Sequence, residues 1–347
     1  MRDLDFVAIG DIVVDAFIRL TQADVYTQEG VERLCLINGA KIPYESLTVI
    51  PAVGNSPNAA VAAARLGLAS GLVSDLGADE YGTECLQALA EEHVDSSLVK
   101  KHEGKRTNYH YVLWYRDERT ILIKHEEYPY ALPELGAVRW IYLSSLGEQS
   151  LPYHEAIAAY VETHPGTKFA FQPGTFQIKL GAKKLSALYK VSEIFFCNTD
   201  EARIILGALE VGLPSGSLTS SQDWIAPALS ADRLARALSA LGPKIAVITD
   251  GPHGAYCYDS HTGTAYFMPP YPDPKPPFER TGAGDAFSST FTAALALGKS
   301  IEEALRWAPI NSMSVVQKIG AREGLLKRAE LEQLLAAAPS SFIPEKR

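Results

Sequence analysis

One short stretch towards the C-terminal end carries the residues best suited to chemistry. Gly282, Ala283 and Gly284 precede a single aspartate, Asp285, and an apolar, serine-containing segment follows. The start of a helix leaves backbone N–H groups unpaired and carries partial positive charge, so small residues there let an anion approach the backbone. The dipole also favours the ionised form of Asp285. The motif predicts a phosphate-binding turn beside a proton acceptor; a glycine turn with an Asp cap is the structural alternative.

A second motif, VGNSPNAAVAAARLG, has polar residues ahead of an alanine-rich segment. We expect a helix here, with Pro57 at its first position and Ser56 as its cap. Capping leaves Gly54, Asn55 and Asn58 unexplained, and amides near a helix start suit the hydroxyls of a polyol. A capped core helix without a binding role is the alternative.

Two further motifs each follow an apolar run. Asn198 and Glu201 fit a capping box, while the functional hypothesis is that Glu201 orients hydrated magnesium near a nucleotide phosphate. Thr249, Gly251 and Gly254 predict a tight turn between two strands, which a hairpin requires in any case.

Asp11 and Asp15, in GDIVVDAF, come just after the first predicted strand. Open α/β sheets bind ligands at that end of their strands.

The sequence LGKS resembles the end of a phosphate-binding P-loop, but its Gly298 follows a helix and fits a C-terminal cap instead. The eight histidines lack metal-ligand spacing, and we interpret them as surface or packing residues.

Strand-like and helical patterns alternate along most of the chain, which predicts parallel βαβ units in a sheet covered on both faces. The predicted strands are 5–10, 70–77, 139–145, 168–172, 193–198, 244–250 and 254–259, and the predicted helices are 58–66, 80–93, 152–163, 200–207, 231–241 and 286–297.

Two segments interrupt this alternation. Residues 12–50 show no clear helix, and residues 105–125 predict a β-hairpin that turns at RDER. Together they predict a small β-sheet lid inserted into one domain that covers residues 1–347, placed over the carboxyl ends of the parallel strands. The proline-rich residues 268–279 predict an extended connector.

Composition narrows the class of protein. The 347 residues include 47% hydrophobic and 21% charged residues, typical of a globular protein, and the net charge of −9 argues against a nucleic-acid partner. Because the chain has neither a long apolar run nor a signal-like N-terminus, we expect no membrane partner and a cytoplasmic location. The four cysteines show no CxxC pairing, which indicates buried free thiols.

Taken in order, these motifs resemble the ribokinase-like (PfkB) family of carbohydrate and nucleoside kinases over about residues 5–325. VGNSPNAAVAAARLG resembles the first family signature, with Val53 in place of its first glycine, and TGAGDAF resembles the second. NTDE, ITDGPHGA and KIGA are similar to three further family segments. The resemblance implies a three-layer α/β/α domain with a central, mainly parallel sheet and a small β-sheet lid.

The resemblance also implies a role for each motif in transfer of the γ-phosphoryl group of ATP to a hydroxyl, with Mg²⁺ as cofactor. Asp285 would be the base, and the backbone of residues 282–284 would form an anion hole. The implied nucleotide residues are Asn198, Glu201, Thr249, Gly251, Gly254, Arg280, Thr281 and Asn311, and Glu201 would also reach Mg²⁺ through water. The implied acceptor residues are Asp11, Asp15, Gly54, Asn55, Asn58 and Glu148.

One departure and several alternatives remain. Many family members carry Asp-Thr-Thr before GAGD where this chain has Glu279, Arg280 and Thr281, which puts activation by a monovalent cation in doubt. The acceptor is expected to be a sugar, but a nucleoside that stacks on Tyr109, Tyr111 or other lid aromatics, Trp114 and Tyr115, is the enzymatic alternative. A non-catalytic sugar sensor is the other alternative, and a homodimer through the lid is a further expectation.

Overall fold

The computed structural model describes residues 3–116, 118–210, 230–278 and 280–347. Its first nine strands and two helices are β1 (Leu4–Ile9), β2 (Val13–Leu20), β3 (Asp24–Gln28), β4 (Val31–Cys35), β5 (Tyr44–Val53), α1 (Asn55–Arg65), β6 (Ser70–Gly77), α2 (Glu80–Glu91), β7 (Val99–His102), β8 (Asn108–Tyr115) and β9 (Glu118–Leu122).

The remaining elements continue the α/β alternation. They are β10 (Val138–Leu143), α3 (Leu151–Thr163), β11 (Lys168–Phe171), α4 (Thr175–Leu180), α5 (Ser186–Val191), β12 (Ile194–Asn198), α6 (Thr199–Glu210), α7 (Ala231–Ser239), β13 (Ile245–Thr249), β14 (Ala255–Asp259), β15 (Thr264–Met268), α8 (Ala283–Ala296), α9 (Ile301–Val315), α10 (Arg328–Ala336) and β16 (Glu345–Lys346). The predicted strands and helices are therefore present, with shifts of a few residues at their ends.

A large sheet forms the centre of the molecule. Its strand order is β16-β15-β14-β13-β12-β11-β10-β1-β6-β7, parallel from β13 to β7 and antiparallel from β13 to β16. Side chains of β1 alternate between two buried layers: Phe6 and Ala8 pack on one face, and Val7 and Ile9 on the other. Helices α1, α2, α8, α9 and α10 cover the first face and α3 to α7 the second, which confirms the expected three-layer α/β/α fold.

A four-stranded sheet, in the order β5-β2-β8-β9, stands beside the main sheet. It comes from the two segments that the sequence set apart, and β8 with β9 forms the predicted hairpin. A further β3–β4 hairpin is exposed along all its length apart from the half-buried Leu34. No helix in the described ranges is long and apolar enough to span a membrane.

The cysteines follow the expectation except for one. Cys85, Cys197 and Cys257 are buried free thiols, whereas Cys35 is exposed on the β3–β4 hairpin.

Candidate functional site

Helix α8 begins at the predicted phosphate-binding turn. Gly282 is its N-cap in a left-handed conformation, with φ of 78°, so that the backbone enters α8 through Ala283 and Gly284. A Cβ on Gly282 would lie 2.3 Å from the Cβ of Ala321, which belongs to the turn after α9. Both the positive φ and the close approach therefore require glycine at this position.

Asp285 lies in the first turn of α8 and accepts hydrogen bonds from three side-chain amides. The Nδ2 atom of Asn55 lies 2.9 Å from its Oδ1 and the Nδ2 atom of Asn58 lies 3.2 Å from its Oδ2. The Nε2 atom of Gln172 lies 3.1 Å from Oδ1. Asn55 and Asn58 therefore contact the carboxylate itself, and their binding of the acceptor stays a prediction.

Opposing effects act on the Asp285 carboxyl. Burial raises its pKa, while the hydrogen bonds from Asn58, Gln172 and Asn55 and the charge of Arg119 lower it, and the outcome is a raised pKa. Burial disfavours the charged form, and donors that face the carboxylate favour it. A raised pKa with ready donors suits a group that takes up a proton.

A cavity of about 370 Å³ opens beside the start of α8. Five of the predicted nucleotide residues line it: Asn198, Thr249, Gly251, Gly254 and Arg280. Ala283 and Gly284 of the phosphate-binding turn line it as well, together with apolar residues such as Met268, Pro269, Pro270, Phe287 and Met313. The cavity joins an apolar wall to a helix N-terminus, the combination that a purine and its phosphates need.

Asn198 and Glu201 form the predicted capping box at the start of α6. The Asn198 N–H donates to Glu201 Oε2 over 2.9 Å, and the Glu201 N–H donates to Asn198 Oδ1 over 2.8 Å. Burial raises the pKa of Glu201, the Asn198 N–H lowers it, and the nearby negative charge of Asp285 raises it further. The cap hypothesis is thus confirmed, and Asn198 at the same time lines the cavity.

Asn311, an expected nucleotide residue, is not among the residues that line this cavity. It is fully buried in α9, where its Nδ2 donates to Thr290 Oγ1 and its Oδ1 accepts from the Leu326 N–H. Its neighbours Pro309 and Ser312 line the cavity instead. Thr281 directly precedes Gly282, and Glu279 lies outside the described residues.

The two aspartates after β1 differ in their partners. Both oxygens of Asp11 are engaged, Oδ1 by the Tyr130 hydroxyl at 2.8 Å and Oδ2 by His125 Nδ1 at 3.1 Å. Asp15 Oδ1 lies 3.4 Å from His110 Nδ1 and has no hydrogen-bond partner. Asp15 therefore keeps an oxygen available, whereas both oxygens of Asp11 already have protein partners; acceptor binding by either aspartate stays a prediction.

The start of α1 differs from the expected cap. The helix begins at Asn55 with Gly54 as N-cap, and the Ser56 hydroxyl instead donates to the Ile9 carbonyl at 2.6 Å. Gly54 has φ of 118°, and a Cβ there would lie 2.8 Å from the Asp11 carbonyl oxygen. Glu148 is exposed in the loop before α3.

The aromatic residues of β8 divide between the two faces of the four-stranded sheet. Tyr109 and Tyr111 pack beside each other, and Tyr109 also contacts Tyr81 of α2. Trp114 lies on the opposite face, where Arg19 and Phe278 cover its ring. Asp15 pairs with His110, which shares the face of Trp114 by alternation along β8. The two tyrosines therefore do not face the same side as Asp15.

The comparison with family models agrees with this geometry. Residues 46–328 match the model of the pfkB family carbohydrate kinase. The chain belongs to the pfkB family of carbohydrate kinases. It is therefore a phosphotransferase with an alcohol group as acceptor.

Relatives of this pfkB-family chain include named sugar kinases. The 5-dehydro-2-deoxygluconokinase of Bacillus velezensis is 24% identical over 85% of this chain and 89% of its own. The ribokinase of Bacillus subtilis is 28% identical over 82% of this chain and 87% of its own. Arabidopsis thaliana ribokinase, solved with ribose and ATP, has a TM-score of 0.75 at 19% identity and covers 96% of this chain and 99% of its own.

Three residues at the centre of this pfkB-family site carried no motif in the sequence. Gln172 follows the end of β11, and its carboxamide oxygen contacts the hydroxyls of Tyr142 and Ser288. The one available signal was position, because Gln172 ends a predicted strand at the same sheet edge as Asp11 and Asn198.

Among the described residues, no group of three or more His, Cys, Asp or Glu side chains is arranged to hold a metal ion.

Proposed function

We propose that this pfkB-family enzyme transfers the γ-phosphoryl group of ATP to a hydroxyl of a sugar or sugar-like acceptor, with Asp285 as the base. One observation carries the proposal: the Asp285 carboxylate directly follows Ala283 and Gly284, which line the cavity at the start of α8. A nucleotide in that cavity would bring its phosphates to the residue that accepts the proton. The names of the relatives, a gluconate-derived sugar kinase and a ribokinase, support a sugar acceptor.

In this proposal the backbone at residues 282–284 forms the anion hole. Phosphoryl transfer spreads negative charge over the oxygens of the moving group, and catalysis rests on positioning and on stabilising that charge. The backbone N–H groups in the first turn of α8 have no hydrogen-bond partner within the helix. They point along the helix axis towards its N-terminal end, where the cavity lies. Arg280 lines the same cavity and adds a positive charge. Arabidopsis thaliana ribokinase was solved with ATP, which supports ATP as the phosphoryl donor.

Magnesium would enter with the nucleotide, because Mg²⁺ keeps several waters and uses substrate phosphates as ligands. The described residues fit this role, since Glu201 is hydrogen-bonded to the cavity-lining Asn198 and no group of three or more candidate metal ligands forms a preformed cage among them. Bound Mg²⁺ neutralises charge on the phosphates. Glu201 would reach it through water by its second oxygen, while the first stays in the capping box. Glu279, Arg280 and Thr281 stand where many family members have Asp-Thr-Thr, so we propose no requirement for a monovalent cation.

The acceptor would lie between the lid sheet and Asp285. Asp15 Oδ1, Asn58 Oδ1 and His110 Nε2 are buried and lack a hydrogen-bond partner. Hydroxyls both donate and accept, so a polyol can satisfy the two oxygens and the ring nitrogen together. Leaving such atoms unpaired in the complex would be costly, which favours a sugar over an apolar ligand. Gly54 and Glu148 complete the proposed acceptor set.

Two alternatives are less well supported. A nucleoside acceptor is less well provided with stacking partners, because Tyr109 and Tyr111 lie on the face opposite Asp15 and the Trp114 ring on the Asp15 face is already in contact with Arg19 and Phe278. A sugar sensor without turnover has no need for a buried carboxylate that three amides position beside a nucleotide cavity.

We also propose that residues 1–347 form one kinase domain, that the β5-β2-β8-β9 sheet is its lid, and that two lids pair in a homodimer. The lid exposes large apolar side chains, including Leu47, Val49, Tyr111, Ile121 and Leu122, and an exposed apolar patch commonly marks an interface. Light scattering tests the dimer: a mass near 37.7 kDa at micromolar concentration would exclude it.

The decisive experiment replaces Asp285 by Asn, which keeps the shape and removes the proton acceptor. ADP formation is followed with ribose, 5-dehydro-2-deoxygluconate and ribonucleosides. D285N should lower turnover about 10²- to 10⁴-fold with ATP binding unchanged, the usual effect of losing a positioned base. The matched control is D200N, since Asp200 is a mostly exposed carboxylate on α6 that pairs with Arg203. Turnover of D285N within a few-fold of wild type would exclude Asp285 as base.

A further inference from the structure

The carboxamide oxygen of Gln172 is held from two sides. The hydroxyl of Tyr142, a fully buried residue of β10, donates to it, and the Ser288 hydroxyl donates from 2.7 Å. The two hydroxyls also lie 2.7 Å from each other. The backbone N–H of Gln172 donates to the Leu143 carbonyl at 2.9 Å, which fixes the point from which the side chain leaves the sheet.

This environment allows one orientation of the amide. With the oxygen towards the two hydroxyls, the NH₂ group faces the Asp285 carboxylate and donates to it at 3.1 Å. The flipped amide would place its oxygen against a carboxylate that can only accept, so that both groups would lose a hydrogen bond. The hydrogen-bond network therefore assigns Gln172 as a donor to Asp285.

The Tyr142 hydroxyl remains a donor over the whole working range of pH. Complete burial and the negative charge of Asp285 raise the pKa of Tyr142 well above its usual value. The other charged groups that act on Asp285 are Arg119, which favours its ionised form, and Glu201, which opposes it. Asn55 and Asn58 are neutral donors from α1.

We propose that Gln172, clamped by the Tyr142 and Ser288 hydroxyls, is a positioning residue that holds the Asp285 carboxylate ionised and in place for the acceptor hydroxyl. The inference rests on the proposed role of Asp285 as base. It adds a third amide, from a second element of the fold, to the two that the α1 motif supplies. It also gives a function to Tyr142, Gln172 and Ser288, which belong to no sequence motif.

The test compares the pH dependence of kcat/KM in wild type and in variants of the clamp. Q172L removes the donor at similar volume and should move the acidic limb of the profile upwards by about one pH unit, because one charge-assisted hydrogen bond to the carboxylate is lost. The shift is upwards because the base works only when ionised, and a carboxyl group with a higher pKa is still protonated at a higher pH. Q172E should move the limb further, because a second carboxylate would face the first.

A second variant leaves Gln172 in place. Y142F/S288A removes both hydroxyls that orient the amide, and it should move the limb in the same direction as Q172L. The matched control is T292V, because Thr292 is a buried α8 residue whose hydroxyl donates to the Ser288 carbonyl at 2.8 Å and does not contact Gln172. T292V should leave the limb within about 0.2 pH units of wild type, well below the change expected for one lost charged hydrogen bond. Thermal melts of every variant establish that it is folded.

The outcomes separate this inference from the proposal on which it rests. An upward shift in Q172L and in Y142F/S288A, with T292V unchanged, supports the clamp. An unchanged limb in both clamp variants, while D285N is inactive, overturns it and leaves Asp285 as base. Active D285N overturns the base itself. If Q172L does not fold, the same two results in Y142F/S288A decide.

Discussion

Two glycines at opposite ends of α8 offer a matched test of the phosphate-binding turn. Gly282 precedes the helix with φ of 78°, and Gly298 follows it with φ of 81°. An alanine at either position incurs the same left-handed backbone strain, about 1–2 kcal/mol. The surroundings differ. A Cβ at residue 298 meets nothing within 4 Å, whereas a Cβ at residue 282 would lie 2.3 Å from the Cβ and 2.6 Å from the Cα of Ala321.

G298A should therefore lose about 1–2 kcal/mol of unfolding free energy with unchanged kcat. G282A should lose at least as much and, because the turn must move away from Ala321, should lower kcat at least about tenfold, as misplacing a group by about 1 Å can. Urea unfolding measures the first quantity, and steady-state ADP formation measures the second. If G282A keeps the kcat of G298A, the backbone at residue 282 does not stabilise the transferred phosphoryl group.

Four further predictions concern other residues of the molecule. E201Q keeps an oxygen for the capping box, so the melting temperature should barely change. If activity then requires more Mg²⁺ than in wild type, the proposed metal role is supported; an unchanged Mg²⁺ requirement would contradict it. His154 is buried and neutral, and burial lowers its pKa from 6.5 to about 4. Its contribution to the free energy of unfolding is therefore fully present above pH 6.5 and is lost as the pH falls towards 4. Urea unfolding at pH 7 and pH 5 should show about 2 kcal/mol more loss in wild type than in H154Q, and an equal loss would contradict the assignment. D15A should weaken acceptor binding about ten- to a hundredfold. Y109L/Y111L should leave the acceptor KM nearly unchanged, and a large rise there would favour a nucleoside.

The sequence predicted the fold and the edge of the sheet where the site lies, because both depend on local patterns. Alternating strands and helices require parallel strands whose carboxyl ends meet, so residues just after the strands must lie near one another. Motifs at the starts of α6 and α8 and after β13 could be assigned to a common cavity on that basis. The capping box of Asn198 and Glu201 was predictable in detail, since its partners are three residues apart.

The sequence was least informative where a side chain chooses between a local and a distant partner. Ser56 has the composition of a helix cap, yet its hydroxyl bonds to Ile9, 47 positions away in the chain. Asp11 was available in the sequence, but Tyr130 and His125 occupy both of its oxygens. Alternation along β8 placed Tyr109 and Tyr111 on one face, but which face meets Asp15 depends on the pairing of β2 with β8.

The alanine-rich composition of α1 acquires a functional meaning from its contact with Asp285. The amides of Asn55 and Asn58 are short, and they reach a carboxylate 230 and 227 positions away because α1 lies close to α8. Residues Ala59 to Ala63 of α1 are completely buried, and α8 carries small residues such as Ala286 and Ser289 near its start. Small side chains permit close approach of two helices. The neutral amides then stabilise the Asp285 carboxylate together with the charge of Arg119, while burial keeps its pKa raised, so the base can still accept a proton. The same small residues that look like core packing in the sequence thus set the distance on which the proposed chemistry depends.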